Sequence, residues 1–138
     1  MRHRSVMTTA AAVAAILFLG IFFPRSAGAM LPQPAEKAVM LSVTVTDSSG
    51  VVSRYTEDPV QISRFLSELS RLQMVPAAPA GPRPERSCCF TVYYRADMTF
   101  FELTDRGDVC WNGKQLRLFG APAGFGSLLQ LSEHWTRV

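Results

Sequence analysis

The sequence predicts an α+β fold in which an antiparallel sheet, made of one hairpin and a meander, packs in two layers against two helices. Three observations carry this expectation. Residues 88–119 alternate apolar and polar side chains with a period of two between turn signals. Val39, Leu41, Val43 and Val45 alternate in the same way ahead of the turn Asp47-Ser48-Ser49-Gly50. Ile62, Phe65, Leu66, Leu69 and Leu72 recur at helical spacing. Neither a half-apolar sheet nor a striped helix can bury its own apolar face, so the two are expected to cover each other.

Taken in order, residues 1–29 have the parts of a secretory signal. Arg2, His3 and Arg4 precede an apolar run from Ala10 to Phe23, and small residues end in Ala27-Gly28-Ala29. That run falls short of the about 20 residues of a membrane span, which favours cleavage after Ala29. The alternative is an uncleaved membrane anchor over residues 6–23, with Thr8 and Thr9 admitted. Residues 30–37 contain Pro32 and Pro34 and read as an extended tether. Residues 38–138 form a single domain, long enough for one core.

The domain opens with a hairpin whose return strand is Val51 to Thr56. Asp58-Pro59, with Gln61 three residues after Asp58, then marks a helix start: the carboxylate caps free N–H groups, proline fits the first turn and Gln reaches back. The helix ends before Pro76. Pro76, Pro79, Pro82 and Pro84 make residues 76–86 a crossing loop of polyproline character. In the meander, Phe90, Val92 and Tyr94 share one strand face, with Thr91, Tyr93 and Arg95 on the other. Phe101 and Leu103 oppose Phe100 and Glu102 in the next strand. Asp105 to Asp108 make a turn, Val109-Cys110-Trp111 a third strand, Asn112-Gly113 a type I′ turn, and Lys114 to Phe119 the return. Phe125, Leu128, Leu129, Leu131 and Trp135 suggest a closing helix.

The leader holds three of the 14 basic residues and none of the 11 acidic ones, so the remainder is neutral. A neutral domain lacks the concentrated positive surface that nucleic acid requires. Membrane contact is expected only through the amino-terminal segment, should it be retained.

Hairpin, Asp-Pro-started helix, proline-bearing loop, meander with an Asn-Gly-Lys turn and closing helix, all behind a leader, together resemble the small exported domains of unknown function carried by many Gram-positive bacteria. The resemblance spans the mature chain and implies a fold and an exported or membrane-anchored location. It brings no catalytic residues and no cofactor.

Chemistry-bearing residues are few. Cys88, Cys89 and Cys110 are an odd number for an exported chain. A simple meander register puts Cys88 and Cys110 on one face at roughly 9.6 Å, two strand spacings, which is beyond the roughly 7 Å reach of a disulfide. Cys89 is then the exposed thiol. Adjacent first and third strands would instead allow a Cys88–Cys110 bridge. His134, expected on the closing helix, is the sole histidine outside the leader, and neither a zinc motif nor a nucleophile elbow accompanies it. Arg106-Gly107-Asp108 spells an adhesive tripeptide on a turn, where chance at a Gly turn is the simpler account.

One surface is more informative. With helices on the Phe90, Val92, Phe101 and Leu103 face, the other presents Tyr93 beside Phe100 and Trp111 beside Glu102, with Thr91 and Arg95 at hand. Uncovered aromatics among charges mark recognition surfaces. The candidate binding surface is therefore Tyr93, Arg95, Phe100, Glu102 and Trp111; packing on the hairpin or on a second copy of the chain would equally cover it. The expected function is non-enzymatic binding of a protein or envelope component. A membrane-tethered accessory subunit is the alternative, and a small hydrolase using Cys89 or a serine with His134 ranks last.

Overall fold

A computed structural model of the chain describes residues 25–77, 84–119 and 123–138. The apolar run of the leader lies outside these residues, as does most of the proline-bearing loop. The architecture is α+β. Nine strands form one antiparallel sheet: β1 (Arg25–Ser26), β2 (Met40–Asp47), β3 (Gly50–Thr56), β4 (Gln73–Pro76), β5 (Ser87–Tyr93), β6 (Met98–Thr104), β7 (Asp108–Trp111), β8 (Lys114–Leu118) and β9 (Thr136–Arg137). Among the described residues two α-helices, α1 (Pro59–Arg71) and α2 (Ala123–Ser132), accompany it. The spatial order is β1-β4-β8-β7-β6-β5-β2-β3-β9. The hairpin β2–β3 thus joins the meander β5–β8 through β2 against β5, with Leu41 opposite Val92 and Val43 opposite Phe90.

Helix α1 starts where the sequence places it. Asp58 Oδ1 accepts from the Val60 N–H at 2.9 Å, and Pro59 occupies the first turn. The reciprocal bond differs from a capping box: the Thr56 hydroxyl accepts the Asp58 N–H at 3.2 Å and itself donates to the Gln61 side-chain carbonyl. Ile62, Phe65, Leu66 and Leu69 are the buried stripe. Each fully buried side chain of this size contributes roughly 1.5–3 kcal/mol relative to exposure.

The core is threaded by a line of rings. Trp135 meets Phe65 edge-on at 5.3 Å, Phe65 contacts Phe90 at 4.9 Å, Phe90 contacts Phe101 at 5.4 Å, and Phe101 stacks on Trp111 at 4.5 Å. Phe125, Leu128 and Leu129 of α2 are buried in the same cluster. Trp135 and His134 follow α2 rather than belonging to it, and the chain then pairs Thr136 with Tyr55 at the sheet edge.

Three features depart from the sequence reading. Gln73–Pro76 is a strand, paired with β8 from Met74 opposite Leu118 to Pro76 opposite Leu116. Pro76 is tolerated because the other neighbour, β1, stops its pairing at Met74. Residues 30–37 are not a free extended tether. Ala35–Lys37 form a 3-10 turn, Leu31, Ala35 and Ala38 pack against the core, and the Tyr94 hydroxyl donates to the Gln33 carbonyl at 3.1 Å. Apolar side chains on either side of the two prolines pack on the core, so the segment is fastened rather than extended.

The third departure is a register. Leu103 pairs with Val109 and Phe101 with Trp111, one residue away from the expected pairing. The reversal is tight, with the Gly107 N–H donating to the Thr104 carbonyl at 3.0 Å, and a single-residue shift turns every side chain of β7 to the opposite face. Trp111 and Val109 point into the core, while Cys110 points out.

Candidate functional site

The face of the sheet opposite the buried Phe90, Val92, Phe101 and Leu103 is built by strand alternation. Its rows are set by pairing: Tyr55, Ser42, Thr91 and Phe100 lie across β3, β2, β5 and β6, and Met40, Tyr93 and Met98 across β2, β5 and β6. Phe100 is 55% exposed and Met98 54% exposed, and the neighbouring Thr91, Tyr93 and Met40 are half-buried. Tyr93 pairs with Met98 and stands diagonal to Phe100, because the Tyr94 N–H closes the turn onto the Asp97 carbonyl at 2.8 Å and Met98 opens β6. Diagonal neighbours on one face remain within reach of aromatic side chains. A patch of three aromatics, Tyr55, Tyr93 and Phe100, and two methionines, Met40 and Met98, therefore sits among hydroxyls.

Of the remaining sequence-predicted residues, Glu102 is exposed on this face and Arg95 is exposed in the turn after β5. Arg95 lines a shallow concavity of about 480 Å³ with Glu36, Lys37 and Val39. Trp111 is not on the surface. It has no solvent exposure, and its indole N–H donates to the buried Thr99 hydroxyl at 2.8 Å. The inverted register explains the correction. Met98, Met40 and Tyr55, absent from the sequence reading, join the patch; the alternation of β2 and β6 already placed Met40 and Met98 on this side.

The same register redistributes the thiols. Glu102 lies between Cys89 and Cys110, opposite both. Cys89 and Cys110 thus share the outer face two strand spacings apart, about 9.6 Å, out of disulfide reach. Cys88 is buried, and its Sγ–H meets the Leu103 carbonyl at 3.6 Å. All three cysteines are free thiols. Burial, with the nearby Cys89 adding to it, pushes the Cys88 thiol up to about 12, and burial followed by the Glu102 charge pushes Cys89 up. Thiols held protonated are poor nucleophiles.

Other candidate chemistry is dispersed. His134 is exposed in the turn between α2 and β9. Among the described residues no group of three or more His, Cys, Asp and Glu is arranged to hold a metal. The Arg106-Gly107-Asp108 sequence is not a protruding tip. Gly107 is buried with its carbonyl accepting the Leu118 N–H at 2.9 Å, and Asp108 opens β7 with its carboxylate 3.3 Å from Arg117. A further concavity of about 670 Å³ lies along β4 and β8, lined by Met30, Met74, Pro76, Lys114 and Leu116. Comparisons with protein-family models, curated proteins and solved structures find no match to this chain.

Proposed function

We propose that the protein is a non-enzymatic, exported binding domain that engages a protein or another component of the cell envelope through the outer face of its sheet. The observation that carries this is the patch of Phe100, Met98, Tyr93 and Met40 on a sheet face to which neither described helix contributes a covering side chain. Both helices lie on the opposite side, in a two-layer arrangement that leaves side chains of the outer face available. Large apolar groups rimmed by Ser42, Thr91 and Glu102 suit a partner with an apolar centre and a polar border. The signal-like leader and the pattern-level resemblance to Gram-positive exported domains support an extracytoplasmic location. Neutrality outside the leader argues against nucleic acid as the partner.

The test is site-specific photocrosslinking in cells producing the full chain. A photoreactive residue replacing Glu102 should give a discrete adduct, while one replacing Arg64 on the exposed side of α1 should give none. Adducts in equal yield from both positions, or none from Glu102, would refute the assignment.

A further inference from the structure

We propose that the partner taken by the outer sheet face is a second copy of this chain, docked face to face about a two-fold axis. The inference rests on the binding reading above and names the occupant of the same surface. It is carried by the shape and the charge of the residue rows that cross the sheet.

The face has a step in it. One half is high, because Tyr55 and Phe100 in one row and Met40, Tyr93 and Met98 in the next are long side chains. The other half is low. Over β3, β2 and β5 its rows are Ser53, Thr44, Cys89 and then Val51, Thr46, Ser87. A two-fold axis lying across the strands, between the halves, sets each copy's high half over the other's low half. Met40 then meets Thr46 of the same strand in the second copy, and Tyr93 meets Ser87. A stepped surface of this kind is its own complement, which is what an isologous interface requires. Two sheets packed in this way lie about 10 Å apart with strands within about 30° of each other, and long side chains interdigitate with short ones. The low half is prepared for burial, since the Thr44 and Ser53 hydroxyls already bond each other at 3.1 Å.

Charge points the same way. Charged residues make up 18% of the chain, and such side chains mostly lie on surfaces. In these rows, continued through Cys110 and Gln115 on β7 and β8, Glu102 is the one ionised side chain among the described residues. At the margin Asp108 is met by Arg117 at 3.3 Å. Depletion of charge together with Tyr, Phe and Met is the composition of an interface centre. A nearly uncharged face can meet its own copy without the repulsion that a charged face would suffer. None of these side chains is buried within the single chain. Each outward residue of a sheet covers a cell of about 4.8 Å by 6.8 Å, so the rows span roughly 550 Å² in projection. With the relief of the high half added, the accessible area is of the order of the about 800 Å² per partner that a stable interface buries.

The test uses two forms of the full chain, carrying different carboxy-terminal tags and produced together in cells, each with a photoreactive residue in place of Glu102. The expected product is an adduct of twice the chain mass that contains both tags. An adduct of any other mass overturns the second copy as occupant while leaving recognition by the outer face intact; no adduct overturns both. A second arm raises the low half. Thr46→Tyr and, separately, Ser87→Tyr place a long side chain where the other copy's Met40 or Tyr93 must sit, and each should cut the two-tag adduct about tenfold or more. Thr46→Ala keeps the low half low and should leave the yield at the unsubstituted level. Adduct from either tyrosine variant at the unsubstituted yield, or a loss with Thr46→Ala equal to that with Thr46→Tyr, would overturn the stepped interface.

Discussion

At the scale of single residues, the Cys88 thiol is a titrating group sealed in the core. Its neutral form is favoured in the folded state, so the stability it contributes is complete below the ordinary thiol value of 9.0 and is lost as pH rises toward about 12. The urea midpoint should therefore fall across that interval. Cys88→Ala should make the fall shallower without abolishing it, because burial raises Cys89 and Tyr94 in the same direction. Trp111 offers a second test. Trp111→Phe keeps the ring against Phe101 but leaves the buried Thr99 hydroxyl without its donor, an expected cost of about 1–3 kcal/mol in urea unfolding. Trp111→Ala should cost about 3–5 kcal/mol by leaving a cavity. A Trp111 side chain on the surface would give changes near zero in both.

At the scale of elements, most of the molecule was legible in the sequence for a physical reason. The β2–β3 hairpin, α1 and the meander are long enough for a period of two or 3.6 to repeat several times. Their boundaries carry residues of fixed stereochemistry: Asn112 and Gly113 take φ of 51° and 75° as the type I′ turn requires. Asp58→Ala should therefore destabilise the protein by about 1 kcal/mol, measured by thermal or urea unfolding, through loss of the Val60 cap. What was not legible is equally physical. Two-residue strands such as β1 and β9 contain no repeat, and β4 ends on a proline that reads as loop. The orientation of β7 depended on how many residues the turn before it consumes. Alternation fixes which side chains share a face but not which face that is, so Tyr93, Phe100 and Glu102 were recognised together while Trp111 and Cys110 were exchanged. Pairing of distant segments, as in β2 against β5, leaves no local trace at all.

At the scale of the whole molecule, the packed residues of β5 and β6 and the proposed binding patch occupy opposite faces of the same strands. The double variant Met98→Ser, Phe100→Ser should lower the unfolding free energy by only about 1–2 kcal/mol and leave the protein folded, since both side chains are more than half exposed. The same variant should abolish the adduct formed from position 102. Loss of folding and of crosslinking together would instead mean that the patch is part of the fold's own packing.

The outermost strands have a further consequence. Each end of the sheet is finished by a strand of two residues, one from the start of the domain and one from its carboxy-terminal end. Such stubs cover part of the edges of β4 and β3 and offer few amides and carbonyls of their own for another chain to zip onto, the usual route by which sheet proteins polymerise. On the reading proposed above, recognition would rest on side chains of β5 and β6, interior strands of the sheet, so a handful of substitutions there should redirect partner choice without a change in architecture.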